Sequence, residues 1–428
     1  MIETNVSALQ SLIKSVADRY RASFASAVSR SMAMIRSIIP SRNPSTRPPS
    51  FVCLTLLASL MIAGPARAQV PVPDEGADAI DFAAQGEGSA GGPAGLRDQL
   101  PNKMARPGGL AVTVLGSGGP IAMSARASSG YVVFIDRVPR IMIDGGGGAF
   151  QRLGQGRIFD LVRLDTWLFS HFHIDHSSDF PAIIKSMYFL RRGYNVTPLT
   201  VVGPEAWGDF PSATEFVSAF FDKDKGIYRY LHAFLRTVYG KDLNFKTIDV
   251  PYDYEKVKTP QMVFEKDGLR VTTIPVMHGP REAKTPAVAY RIDYHGQSIT
   301  YSGDLNSQTG NLATLARGTD VLIYDASLGR AMRMSPADVY HSKPSDIGKI
   351  AQQAGVKKLV LSHLMPPYVD MKIKGIVADV KQYYSGPVVV AEDLMTITPD
   401  GDASASTAES HRKPGEGLRE RFRKRRQN

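Results

Sequence analysis

The hexapeptide His171-Phe172-His173-Ile174-Asp175-His176 constrains this chain more than any other stretch. It sets three imidazoles and a carboxylate side by side, directly after a mostly apolar run, Leu164 to Ser170 (LDTWLFS), that reads as a buried strand. A loop leaving a strand end is anchored at its root and open at its tip. Neutral imidazole nitrogen and carboxylate oxygen are good ligands for zinc and similar divalent ions. In a compact loop, His171 and His173 can face one ion while Asp175 and His176 face a second. A single histidine here would read as a solvated loop residue, but H-x-H-x-D-H after a strand reads as a metal site.

Strand-like and helix-like segments alternate along the chain. Val112–Leu115, Tyr131–Ile135, Arg140–Ile143, Thr166–Phe169, Leu199–Val202, Met262–Glu265, Arg270–Ile274, Ala287–Tyr294, Ser298–Tyr301, Val321–Ile323, Lys358–Leu361 and Val388–Val390 read as strands. Phe180–Leu190, Pro211–Phe221, Pro344–Ala354 and Ile373–Tyr384 carry helical periodicity. Many β segments with interleaved helices predict a layered α/β protein.

The hexapeptide resembles the metal-binding motif of the metallo-β-lactamase superfamily, and further segments match in order over about residues 110 to 398. Gly116-Ser117-Gly118-Gly119-Pro120 resembles the opening turn of the ribonuclease Z-like branch. Arg126-Ala127-Ser128-Ser129 resembles that branch's R-N-x-S-S segment, with Ala127 replacing asparagine and one residue fewer, which makes Arg126 a candidate for substrate contact or support. Asp144-Gly145-Gly146-Gly147 resembles the D-x-G that braces the metal loop. The resemblance implies a four-layer αββα sandwich with metal between the edges of two facing sheets. It implies two divalent cations, zinc foremost, with manganese or iron as alternatives.

The same resemblance supplies the remaining ligands. His278, after Val271–Met277, becomes the third ligand of the ion held by His171 and His173. Asp304, in Tyr301-Ser302-Gly303-Asp304, bridges both ions. His363, after Leu361-Ser362, completes the second ion with Asp175 and His176. A metal pair about 3.5–4 Å apart holds an activated water and clamps an oxyanion. Asp175 would orient that water and relay its proton. His341-Ser342-Lys343 resembles the H-S-T segment of ribonuclease Z, where the histidine assists the leaving group. Lys343 replaces the threonine, as a solvated lysine or an anion contact, and Asp325 retains an acid partner for His341. Of nine histidines, this leaves His232, His295 and His411 as surface or structural residues.

Charge bears on the substrate. The net charge is +10, but residues 1–68 and 411–428 each contribute +6, which leaves −2 for the body between them. A near-neutral body lacks the bulk excess of a dedicated nucleic-acid binder. Phe51 to Ala63 is a 13-residue apolar run, shorter than the roughly 20 residues of a membrane span. Arg42 and Arg47 precede it and Ala66-Arg67-Ala68 follows, so residues 1–68 read as an extension and secretory signal cleaved after Ala68. Met32 or Met34 as the start would give a shorter leading region. Residues 69–108, rich in Gly, Ala, Pro and acids, read as a linker, 109–400 as the hydrolase domain and 401–428 as a basic tail. The only cysteine, Cys53, excludes a cysteine-based zinc site in the folded body. The protruding arm of ribonuclease Z is not evident between Thr197 and Val250.

These readings predict an exported dinuclear-metal hydrolase (periplasmic or secreted) using a metal-bound hydroxide on a small phosphodiester or related ester. They predict a small-molecule ester substrate, no dedicated nucleic-acid surface and no membrane-spanning helix in the mature chain, and leave open a local basic patch and the oligomeric state, a dimer included. The alternatives are a tRNA 3′ endonuclease, a lactonase or sulfatase on the same fold, and a non-catalytic binding protein.

Overall fold

Short runs of β-branched and aromatic residues build two sheets of seven strands each. The computed structural model describes residues 109–401, apart from 159, 192–197, 233–244, 283–284, 330–335 and 367–369. The expected signal, the linker and the tail from residue 402 onward lie outside the described residues.

In the first sheet the order is β14 (Thr396–Ile397), β1 (Leu110–Gly116), β2 (Gly130–Ile135), β3 (Val138–Asp144), β4 (Thr166–Leu168), β5 (Leu199–Pro204) and β6 (Phe245–Val250). In the second it is β13 (Val388–Val390), β12 (Lys358–Ser362), β11 (Val321–Asp325), β10 (Gln297–Tyr301), β9 (Val288–Tyr294), β8 (Leu269–Pro275) and β7 (Gln261–Lys266). Each sheet joins an antiparallel meander to a parallel half. Strands β3 to β6 run parallel in one, and β10 to β13 in the other.

Helices α1 (Ala149–Gln155), α3 (Phe180–Arg191) and α4 (Ala213–Phe221) pack on the first sheet through Leu153, Ile183, Met187 and Phe221. Helices α5 (Asn311–Leu315), α6 (Pro344–Ala354) and α7 (Asp370–Lys381) cover the second through Leu312, Ile347, Ala351 and Val380. Between the sheets lies a third apolar layer, with Val112, Val133 and Ile143 facing Val271, Ile292 and Ile323. Residues alternate along each strand between that middle layer and a helix-facing one, as period-two side chains must. Three cores between four layers make the αββα sandwich expected from the sequence. Among the described residues, no helix is long and apolar enough to cross a membrane.

Some local expectations differ from the structure. Helix α7 lies three residues earlier than its periodicity suggested, and Tyr384 instead donates its hydroxyl proton to the Val356 carbonyl at 2.9 Å. Strands β6 and β14, helix α1, the short helix α2 (Ile174–Ser177) and α5 had no clear signal. The stretch read as aromatic and helical between Thr197 and Val250 holds α4 but ends in β6.

Candidate metal centre

Every predicted metal ligand sits at the same edge of the sandwich, just past a strand end. Strand β4 leads into His171 and His173, and the chain then winds into α2, whose single turn presents Asp175 and His176. His278 follows β8, Asp304 follows β10 and His363 follows β12. The first sheet thus contributes four ligands and the second three.

The chain fits these residues together closely. A Cβ on Gly146 would lie 1.8 Å from the Asp175 carbonyl oxygen, so only glycine lets the β3 loop run against the metal loop. A Cβ on Gly119 would lie 2.7 Å from the His363 ring, which explains the Gly-rich turn after β1. His363 itself adopts φ 55°, unusual for a non-glycine residue.

Hydrogen bonds set which nitrogen of each ring faces inward. Asp144 accepts from the Ser170 hydroxyl at 2.8 Å and from His176 Nδ1 at 2.8 Å, so His176 must carry its proton on Nδ1. With its hydroxyl proton spent on Asp144, Ser170 Oγ accepts from His171 Nδ1 at 3.1 Å. The same logic holds at Ser327, which donates to Asp325 at 2.5 Å and accepts from His363 Nδ1 at 2.6 Å. His278 Nδ1 donates to the Tyr340 carbonyl at 2.8 Å. In all four rings the outward partner therefore holds the Nδ1 proton and turns Nε2 inward, the arrangement found behind metal-bound histidines.

Those inward nitrogens converge. His173 Nδ1 lies 3.0 Å from His171 Nε2 and 3.3 Å from His278 Nε2. His363 Nε2 lies 3.2 Å from both His176 Nε2 and Asp175 Oδ2. Asp304 sits between the clusters, 3.4 Å from His363 Nε2, 3.5 Å from His176 Nε2 and 3.9 Å from His278 Nε2. Its Oδ1 is buried with no hydrogen-bond partner. Inward nitrogens this close repel one another unless a proton or cation lies between them, and a buried unpaired carboxylate oxygen is costly. A cation among each set of donors removes both problems, so the donor set fits divalent metal.

Burial keeps His171, His173 and His278 neutral, with His278 pushed down to about 4. Burial would raise Asp175, but the positive field of His176 and His363 outweighs it and holds the carboxyl at about 2. These four groups are in the states that metal binding requires, whereas at His176 and His363 burial is overcome by Asp304 and the neighbouring carboxylates, which push both rings up, so a cation bound there displaces protons.

His341 lies beside the two clusters. Its ring is 5.5 Å from those of both His278 and His363, and its Nδ1 donates to Asp325 at 2.7 Å. Burial favours the neutral ring, yet the Asp325 charge and hydrogen bond prevail and the imidazolium is pushed up to about 9. Arg126 points away from this chemistry, bonding Ser117 Oγ at 2.6 Å and the Ala391 carbonyl at 2.5 Å, and so braces the opening turn. Lys343 is half-exposed at the start of α6, 3.5 Å from Asp338. Sequence reading missed Ser170, Ser327, Tyr340 and Tyr301, whose hydroxyl donates to Asp144 at 2.7 Å. Isolated serines and tyrosines carry no pattern that would single them out.

The Beta-lactamase superfamily domain profile matches residues 139–364, over half of the chain. The chain belongs to the beta-lactamase superfamily. Within it, the chain is 27% identical to a ribonuclease Z of Methanosarcina acetivorans, over 67% of this chain and 97% of that one. It is 26% identical to a ribonuclease Z of Mycolicibacterium paratuberculosis, over 68% and 99%. Human tRNase Z, short form, has the same fold, with a TM-score of 0.50 and 19% identity over 67% of this chain and 98% of that one. This member of the superfamily is a metal-dependent hydrolase.

The relatives overturn one expectation. A small ester substrate without a nucleic-acid partner does not fit relatives that are ribonucleases by name. That expectation rested on the export signal, the arm not found between Thr197 and Val250, and net charge, of which the last misleads for a physical reason. A body at −2 sums the whole surface, whereas cations held by this donor set would add positive charge that the sequence total does not count.

Proposed function

We propose that this protein is a dinuclear, zinc-dependent phosphodiesterase that cleaves RNA in the manner of a ribonuclease Z. The observation that carries this reading is the pair of ligand clusters sharing Asp304, with the His341–Asp325 dyad beside them. His171, His173 and His278 would hold one ion, and Asp175, His176 and His363 the other. When bound, the two cations supply Lewis acidity toward a phosphoryl oxygen and toward water.

The chain's own residues supply the proton transfers. Asp175, ionised and 7% exposed, orients the attacking water and accepts its proton. His341 holds its Nδ1 proton on Asp325 and delivers the Nε2 proton to the leaving oxygen. Trp167, Phe169 and Phe180 pack behind the metal loop and hold its root rigid.

The test is direct. Purified holoenzyme should contain two cations per chain and cleave RNA carrying a 3′ extension. Dialysis against a chelator should abolish cleavage and zinc should restore it. A fully metallated protein that leaves such RNA intact overturns the proposal. We also propose export, supported by the apolar run Phe51–Ala63, its arginine flank and Ala66-Arg67-Ala68. Natively produced protein should then begin at Gln69, and an intact N-terminus in the cytosol would refute it.

A further inference from the structure

We propose that Trp207, seated on Tyr252 and joined to the metal centre through Phe210, is a stacking platform for an unpaired base of the RNA strand. The inference rests on the phosphodiesterase reading above and names what holds the substrate beside the reacting bond.

Topology places these residues. Strands β4, β5 and β6 run parallel, so their carboxyl ends share one edge. The metal loop leaves the end of β4. The segment Pro204 to Pro211 leaves the end of β5, and Tyr252 lies two residues past the end of β6. Glu205 N donates to the Val250 carbonyl at 2.9 Å, which ties the last two loops together. Trp207 and Phe210 exchange backbone hydrogen bonds of 3.1 and 3.0 Å across a tight turn, with Gly208 at φ 58°.

Side chains then connect the turn to the metal ligands. The Phe210 ring is 5.5 Å from the ring of His173, and Trp207 is 5.6 Å from Tyr252. Trp207 is 45% exposed. The indole thus rests on Tyr252 while nearly half of its surface faces solvent on the metal-centre side of the sheet edge. A base beside the scissile phosphate would meet the aromatic row that runs from Phe210 to Trp207, and base–aromatic stacking is a sequence-tolerant hold on single strands. Glu205 and Asp253 flank Tyr252 and help hold its phenol proton on, after burial. That acidic rim repels phosphate, so the platform takes the ring of the base and leaves the phosphate to the metal centre.

The chain has two tryptophans, and the other, Trp167, is fully buried. Indole fluorescence of the zinc-loaded enzyme is therefore the sum of one buried and one exposed indole, and the quenching that is lost in Trp207→Leu is that of Trp207. Short oligoadenylate should quench it. Trp207→Leu should weaken oligoadenylate binding about 5- to 150-fold, the range expected for losing one stacked base, at unchanged metal content and melting temperature. Trp207→Phe should retain most of the affinity, and Tyr252→Leu should lose part of it. The ratio between wild type and Trp207→Leu should hold from low to high salt, unlike a phosphate contact. No quenching of the wild type, or equal binding by Trp207→Leu, overturns the platform. RNA cleavage without quenching would sink the platform alone. Quenching without RNA cleavage would sink the phosphodiesterase reading and leave the platform standing.

Discussion

At the scale of single residues, the centre depends on which nitrogen each imidazole presents. Asp144 governs two of those choices, through His176 and through Ser170 to His171. It sits at φ 50°, a conformation asparagine tolerates well. Asp144→Asn therefore keeps the backbone and the shape while removing the charge. It should weaken metal binding about 10- to 100-fold, as loss of an outer carboxylate partner does. Competition with a chromophoric chelator measures this, and unaltered affinity would show that the carboxylate does not orient the ring. His341 offers a sharper discrimination, because it also lies near His278 and Asp304 as a potential donor. If it is a proton donor, His341→Ala should lower kcat about 100- to 10,000-fold with both cations retained. Loss of a cation from that variant would reassign His341 as a ligand. The metal loop was legible from its H-x-H-x-D-H pattern after a strand, and His278, Asp304 and His363 through the resemblance of their segments to the family's. The atoms that fix their tautomers were not, since a serine hydroxyl or a backbone carbonyl has no sequence signature.

At the scale of elements, the turns matter more than the strands they join. The turn after β1 contacts the ring of His363, a ligand more than 200 residues away in the chain, and no periodicity argument reveals such a contact. Gly119→Ala would place a methyl group 2.7 Å from His363 Cε1. The ring must then move off the second cluster, while His171, His173 and His278 are untouched. Elemental analysis of this variant should find one cation per chain instead of two, and a count of two would refute the steric account. Strand existence was legible wherever a run was fully buried on both faces, as in β1, β2 and β11. Strand β6 was missed because it is an edge strand whose residues are mostly half-buried or exposed, so its apolar signal is diluted. Helix α1 was missed because its seven residues include a glycine and bury only Ala149 and Leu153.

At the scale of the whole molecule, the centre is a clasp between the two sheets. The first sheet brings His171, His173, Asp175 and His176, and the second brings His278, Asp304 and His363, so any ion bound there ties the halves together. Four buried carboxylates, Asp144, Asp175, Asp304 and Asp325, meet at this seam with six imidazoles. Without cations their charges are balanced only by whatever protons the imidazoles take up, at the expense of the neutral donor states described above. Metal binds the folded arrangement and not a chain in which these ligands are scattered, so it stabilises by mass action. With free zinc at 100 to 1,000 times the dissociation constant, each site contributes about 3–4 kcal/mol. Removing the cations from a domain of this size should lower Tm on the order of 10 °C. Calorimetry with excess zinc against excess chelator measures the difference. An identical Tm in both buffers would mean that the seven donors hold no ion, and the hydrolytic mechanism built on them would fail with it.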